Sequence, residues 1–135
     1  MSHQESKRSS GSDNRAALER MFRAFETGDW DALVADFADD FNQEWPQSGE
    51  RLASKQACLA VYRGYPGGPP AIRPVRISGE GDHWTVEMEM HYGDKLVQGI
   101  SIFEFRDGRI VSETDYFADP FDAPAWRSEW VTVVS

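Results

Sequence analysis

From His83 to Tyr92 the chain alternates without a break, with Trp84, Val86, Met88 and Met90 on one parity and Thr85, Glu87, Glu89 and His91 on the other. Period-two alternation of this kind belongs to a strand with one buried and one wet face. The apolar parity needs a covering layer, so this segment commits the chain to a sheet with something packed on it. Gly93-Asp94 turns the chain into a second strand, Leu96 to Phe105, and Asp107-Gly108 is a hairpin signal leading into a third that ends at Phe117. Ile72 to Ser78 reads as the strand that precedes them, with Pro74 marking it as an edge or bulged strand. Leu96 to Phe105 is apolar on both faces, Ile100 and Ile102 against Phe103 and Phe105. One face covers the interior. The other is expected to meet a second subunit.

The N-terminal half has a different period. Leu18, Met21, Phe22 and Phe25 recur at steps of three and four, which predicts a helix opened by Ser12 or Asp13 and ending near Thr27. Gly28 suits the position just past its end. Asp29 is placed to cap a second, short helix carrying Trp30, Leu33, Val34 and Phe37, which Asp39-Asp40 ends. Phe41 to Trp45 then reads as a short strand stopped by Pro46. Ser54 is a cap for a third helix bearing Ala57, Cys58, Val61 and Tyr62, and Tyr65 to Pro70 is a loop by its glycines and prolines. Pro124 can open a last helical turn containing Trp126 and Trp130. Three helices followed by an antiparallel meander give an α+β class. A curved antiparallel sheet wrapped around those helices leaves a cone whose open mouth suits a small molecule.

With 135 residues, one domain is expected over positions 14–135, preceded by a polar, Ser-rich leader at 1–13 that reads as disordered. Acidic residues outnumber basic ones 23 to 14, for a net charge of −9, which opposes nucleic acid and anionic membranes as partners. No apolar run approaches the roughly 20 residues of a membrane span, and no secretory signal core is visible, so a cytoplasmic location is expected. The single cysteine, Cys58, excludes an internal disulfide and reads as a small core residue.

The final strand holds the chemistry. Glu113 and Asp115 stand two residues apart, hence on one face with Val111 and Phe117. Their side chains would be about 7 Å apart by strand rise. Held among apolar walls, a carboxylate keeps its proton more tightly, which is how a protein obtains an acid or base useful near neutral pH. The opposite parity, Ile110, Ser112, Thr114 and Tyr116, is no less apolar, so alternation alone leaves open which face is buried.

Glu26-Thr27-Gly28-Asp29-Trp30, Phe37-Ala38-Asp39-Asp40, Glu44-Trp45-Pro46 and Phe103 to Ile110 resemble the nuclear transport factor two-like superfamily, over about Asn14 to Phe121. Ketosteroid isomerases, limonene epoxide hydrolases and SnoaL-like polyketide cyclases share its cystatin-like cone. The resemblance implies the fold far better than the activity. The isomerase base falls on Trp45, its carbonyl-polarising tyrosine on Met21, and the partner aspartate near Ser101 or Ile102, so isomerase chemistry of that type is not expected. Asp115-Tyr116-Phe117 matches the epoxide hydrolase motif, but the residues that hold its water fall on Asn42 and Glu44. Its arginine has no equivalent on His83 to Tyr92, although Arg73 or Arg76 could approach from the next strand. SnoaL-like cyclases place an acid/base aspartate where Asp115 stands. The resemblance thus points Asp115 inward.

On that basis Asp115 is expected to shuttle a proton, with Glu113 tuning it, on an apolar or aromatic small molecule such as a polyketide or terpenoid, without cofactor or metal. Trp45, Trp84, Phe103 and Phe117 would line the pocket, with Glu44 as a further carboxylate; for each aromatic the plain alternative is ordinary core. His83 and His91, eight apart on the wet face, read as surface residues. No phosphate-binding loop or nucleophile triad is present. Two other readings stay open: a non-catalytic small-molecule binder, and a protein-interaction domain that uses the sheet face.

Overall fold

The computed structural model describes residues 11–134. Helix α1 (Gly11–Thr27) and the short α2 (Trp30–Leu33) precede β1 (Phe37–Trp45) and β2 (Glu50–Leu52). Helix α3 (Lys55–Arg63) leads into β3 (Ala71–Glu80), β4 (His83–Tyr92), β5 (Lys95–Arg106) and β6 (Arg109–Ala118), and a 3-10 turn at Ala125–Arg127 follows. Most of the expected leader lies outside the described residues. Ser12 and Asp13 fall within the first turn of α1, not ahead of it. The other caps are where the side chains demand them: Asp29 accepts from the amide of Ala32 and Ser54 from that of Ala57, each at 3.1 Å. Gly28 takes φ +71° just beyond α1.

The strands form one six-stranded sheet in the order β2-β1-β6-β5-β4-β3. The meander β3 to β6 is antiparallel as expected, but the sheet is mixed, because β1 pairs with β6 in parallel. That pairing also corrects α2. Helical spacing through Phe37 suggested a longer helix, whereas α2 stops at Leu33 and Phe37 already belongs to β1. Phe37 and Phe41 are both buried, with ring centroids 3.9 Å apart. Irregular pairing with β6 between Phe37 and Asn42 lets both aromatics reach the core while Asp39 and Asp40 face water. β2, which pairs antiparallel with β1, has no strand signal in the sequence. Pro74 lies on the edge strand β3 beside a bulge, where its missing N–H costs nothing.

A second bulge settles the parity of β6. Glu104 faces Ser112 and Phe105 faces Ile110, so Val111 is the extra residue and Ile110 swings onto the same side as Glu113 and Asp115. The inner face of the sheet therefore carries Trp84, Val86, Met88 and Met90 from β4, Val97, Ser101, Phe103 and Phe105 from β5, and Ile110, Glu113 and Asp115 from β6, all buried. Leu18, Met21 and Phe22 of α1, Leu33 of α2, and Cys58 and Tyr62 of α3 cover it. Each fully buried large apolar side chain contributes roughly 1.5–3 kcal/mol against exposure. Asn14 and Arg15 pin α1 across the β3–β4 hairpin by donating to the carbonyls of Gly81 (2.8 Å) and Ile77 (2.7 Å).

Candidate active site

The two carboxylates of β6 sit inside the cone. Glu113 is 4% exposed and Asp115 3%. Parallel pairing places Gln43 of β1 directly opposite Glu113, and Trp45 two residues further along the same face. Ser101 of β5 lies opposite Asp115. Two neighbouring strands thus bring three donors to one carboxylate: Ser101 Oγ donates to Asp115 Oδ1 (2.6 Å), while Gln43 Nε2 (2.6 Å) and Trp45 Nε1 (2.9 Å) donate to Oδ2. Such a set of donors suits an acceptor-only carboxylate. The same Gln43 Nε2 also reaches Glu113 Oε2 (3.3 Å) and the Tyr62 hydroxyl (3.2 Å).

Glu113 has a different environment. Burial first, then the charge of Asp115 and a hydrogen bond with it, hold its carboxyl well above its ordinary value of 4.5. Two ionised carboxylates side by side in an apolar shell repel, which favours the protonated form of Glu113. Tyr62 and Cys58 also stay protonated, because burial pushes both groups up. Cys58 is a buried free thiol, the core role expected of it.

A hollow of about 40 Å³ opens beside this cluster. Gln43, Trp45, Tyr62, Ser101, Glu113 and Asp115 form its polar side, with Met21, Phe22, Phe25, Met88, Met90 and Phe117 among its apolar walls. At about 10–15 Å³ per water it holds roughly three waters, so a ring-sized guest requires the walls to yield. Three of those walls are methionines, the side chains best able to do so. Gly99 makes room for two of them: a Cβ there would stand 3.1 Å from Met88 Cγ and 3.2 Å from Met90 Sδ. Trp45 and Phe117, half-buried and 6.4 Å apart edge to face, flank the approach.

The aromatics and carboxylates named from the sequence therefore divide. Glu113, Asp115, Trp45 and Phe117 converge on the hollow. Trp84 and Phe103 do not line it; both belong to the core, Trp84 donating to the Gly81 carbonyl (2.8 Å) and Phe103 packed edge-on against Phe22 (6.4 Å). Glu44 points to the other side of β1, where it pairs with Arg51. Arg73 and Arg76 do not approach Asp115; they pair with Glu89 and Glu87 on the outer face. Gln43, Tyr62 and Ser101 complete the site without having been singled out. Alternation offered a signal for two of them: Gln43 shares Trp45's parity, and Ser101 shares that of Phe103 and Phe105. Among the described residues, no group of three or more His, Cys, Asp or Glu converges as a metal site requires.

Comparison with known proteins agrees with this fold. The model of a SnoaL-like domain matches residues 18–113. An NTF-2 like protein of unknown function from Burkholderia xenovorans is 40% identical, with a TM-score of 0.80 over 92% of this chain and 97% of that one. A protein from Kribbella flavida described as a ketosteroid isomerase candidate is 24% identical, with a TM-score of 0.83 over 93% and 92% of the two chains. An epoxide hydrolase of limonene epoxide hydrolase type from M. tuberculosis is 26% identical, with a TM-score of 0.65 over 79% and 84%. No curated protein compared with the chain matches it.

Proposed function

The chain belongs to the SnoaL-like domain family, and on that premise we propose that it is a small-molecule enzyme whose acid/base chemistry runs on the Glu113–Asp115 pair. The observation that carries this reading is a buried pair of neighbouring carboxyls reached by one amide, Gln43, with Asp115 held by three donors, at the wall of an open hollow. A pair sharing one proton can accept another. A proton taken from the substrate at Glu113 passes its equivalent along the hydrogen bond to Asp115, and the reverse transfer returns it to another atom of the substrate. The pair ends as it began, so neither oxidant nor cofactor enters the balance. Trp45, Phe117 and the methionines position an apolar or aromatic body and keep water out.

The epoxide hydrolase relative supports small-molecule chemistry in a related cone. Its reaction class is not carried over, because no arginine stands beside Asp115. A second reading, a binder without turnover, is favoured by one observation: Asp115 is so fully supplied with donors that it can serve as a structural anchor. We also propose a homodimer through the outer sheet face, where Val75, Ile100 and Tyr116 are 53%, 45% and 43% exposed. The deciding experiment is a substrate screen with enolisable ketones, epoxides and hydroxylated aromatic rings, repeated with Asp115→Asn. Turnover lost in a folded variant supports the enzyme; unchanged ligand affinity with no turnover in either protein supports the binder.

A further inference from the structure

The side-chain N–H donors of the polar cluster and the Ser101 hydroxyl are already engaged. Trp45 Nε1 and Ser101 Oγ are committed to Asp115, and Gln43 Nε2 to Asp115, Glu113 and Tyr62. Two acceptors are left over. Gln43 Oε1 and Glu113 Oε1 are fully buried and have no hydrogen-bond partner among the described residues. The Gln43 amide cannot simply be turned to cure this, since turning it would set Oε1 against the Asp115 carboxylate at 2.6 Å. Unmatched buried acceptors are costly to the fold, a cost that a donor arriving in the hollow removes.

The walls carry a second message. Among the described residues, no lysine, arginine or histidine lines the hollow. An anionic ligand would enter an apolar space beside Asp115 with nothing to neutralise it, and its desolvation would go uncompensated. Nor does Asp115 call for a cationic guest, because three donors already meet it.

Resting on the small-molecule reading above, we propose that the natural ligand is an uncharged apolar or aromatic body bearing a hydroxyl or enol group, bound with that O–H deepest, donating to Gln43 Oε1 and Glu113 Oε1. The narrow hollow receives the hydroxyl end, and the body lies between Trp45 and Phe117. The site offers two unmatched acceptors, while the N–H donors of Trp45 and Gln43 and the Ser101 hydroxyl are already taken. A ketone or ether of the same shape leaves both acceptors bare, and a carboxylate adds repulsion.

Phenol, anisole and benzoate test this with one ring and three head groups. Binding is followed by titration calorimetry and by the side-chain amide resonance of Gln43 in 15N-labelled protein. Phenol should bind at least about tenfold more tightly than anisole, the equivalent of one well-made hydrogen bond, and should shift the Gln43 amide signal, while benzoate should not bind. Glu113→Gln keeps a carbonyl acceptor at the same place and should retain the preference for phenol. Equal affinity for phenol and anisole, tighter binding of benzoate, or no phenol binding at all would overturn the proposal. None of these results depends on turnover. The acid/base reading stands or falls on the Asp115→Asn substrate screen, so either idea can fail alone.

Discussion

Gln43 Nε2 stands 2.6 Å from Asp115 Oδ2, although the two residues lie 72 positions apart in the chain. The contact exists because β1 runs parallel to β6, which sets Gln43 opposite Glu113 and within reach of the next inward side chain. One amide thereby holds two carboxylates and a phenol together. Disturbing it should be felt by all three.

Gln43→Glu places a third carboxyl in that buried space and removes the shared donor. At neutral pH the variant should lose about 3–5 kcal/mol of stability, the scale of an uncompensated buried charge. Acidification should restore part of the loss as the carboxyls take up protons. Urea unfolding at several pH values checks both the size and the recovery.

The raised carboxyl of Glu113 gives stability a pH slope of known sign. Below the ordinary value of 4.5, folded and unfolded chains both hold the proton and its contribution is complete. As pH rises further, the unfolded chain releases the proton while the folded chain keeps it, so stability falls until the folded group also titrates. Glu113→Gln has no proton to lose. Its stability curve should be flatter than that of the wild type and should overtake it toward alkaline pH, as read from denaturant midpoints between about pH 4 and pH 9.

Asp115→Asn is the cleanest probe of the reaction. The amide retains one acceptor oxygen but turns a donor toward Gln43, Trp45 or Ser101, at a cost of about 1–3 kcal/mol in unfolding experiments. The fold should survive. Turnover of any substrate found by the screen should fall by at least about 100-fold, the usual worth of a positioned acid or base.

Gly79 tests the architecture away from the site. Its φ is +152°, and a Cβ would lie 2.4 Å from the His83 carbonyl oxygen and 2.8 Å from Trp84 Cα. Those are backbone atoms that cannot step aside. Gly79→Ala should destabilise by more than about 2 kcal/mol, at the upper end of ordinary point changes, in thermal or denaturant unfolding.

The proposed dimer makes a separate prediction. Tyr116 is 43% exposed on the outer face, so Tyr116→Lys should leave the monomer fold intact. Sedimentation should show a wild-type dimer and a monomeric variant. A wild type that sediments as a monomer removes the proposal.

Much of this molecule was legible from local patterns. Helix α1 followed from Leu18, Met21, Phe22 and Phe25, β4 from its alternation, and the caps Asp29 and Ser54 from their side-chain oxygens. These are short-range effects, in which a residue's few neighbours decide its backbone. Phe37 misled for the same reason: its spacing from Leu33 fits a helix, and only pairing with β6 draws it into a strand.

What the chain alone determined was an α+β order of elements and a carboxylate pair on one strand face. The tertiary structure decided which face that was, through the bulge at Val111, and which residues met there, through the parallel pairing of β1 with β6. A one-residue bulge reverses every side chain beyond it, and a parallel pair joins distant segments. Neither leaves a local mark, because both depend on partners brought together only when the sheet closes over its helices.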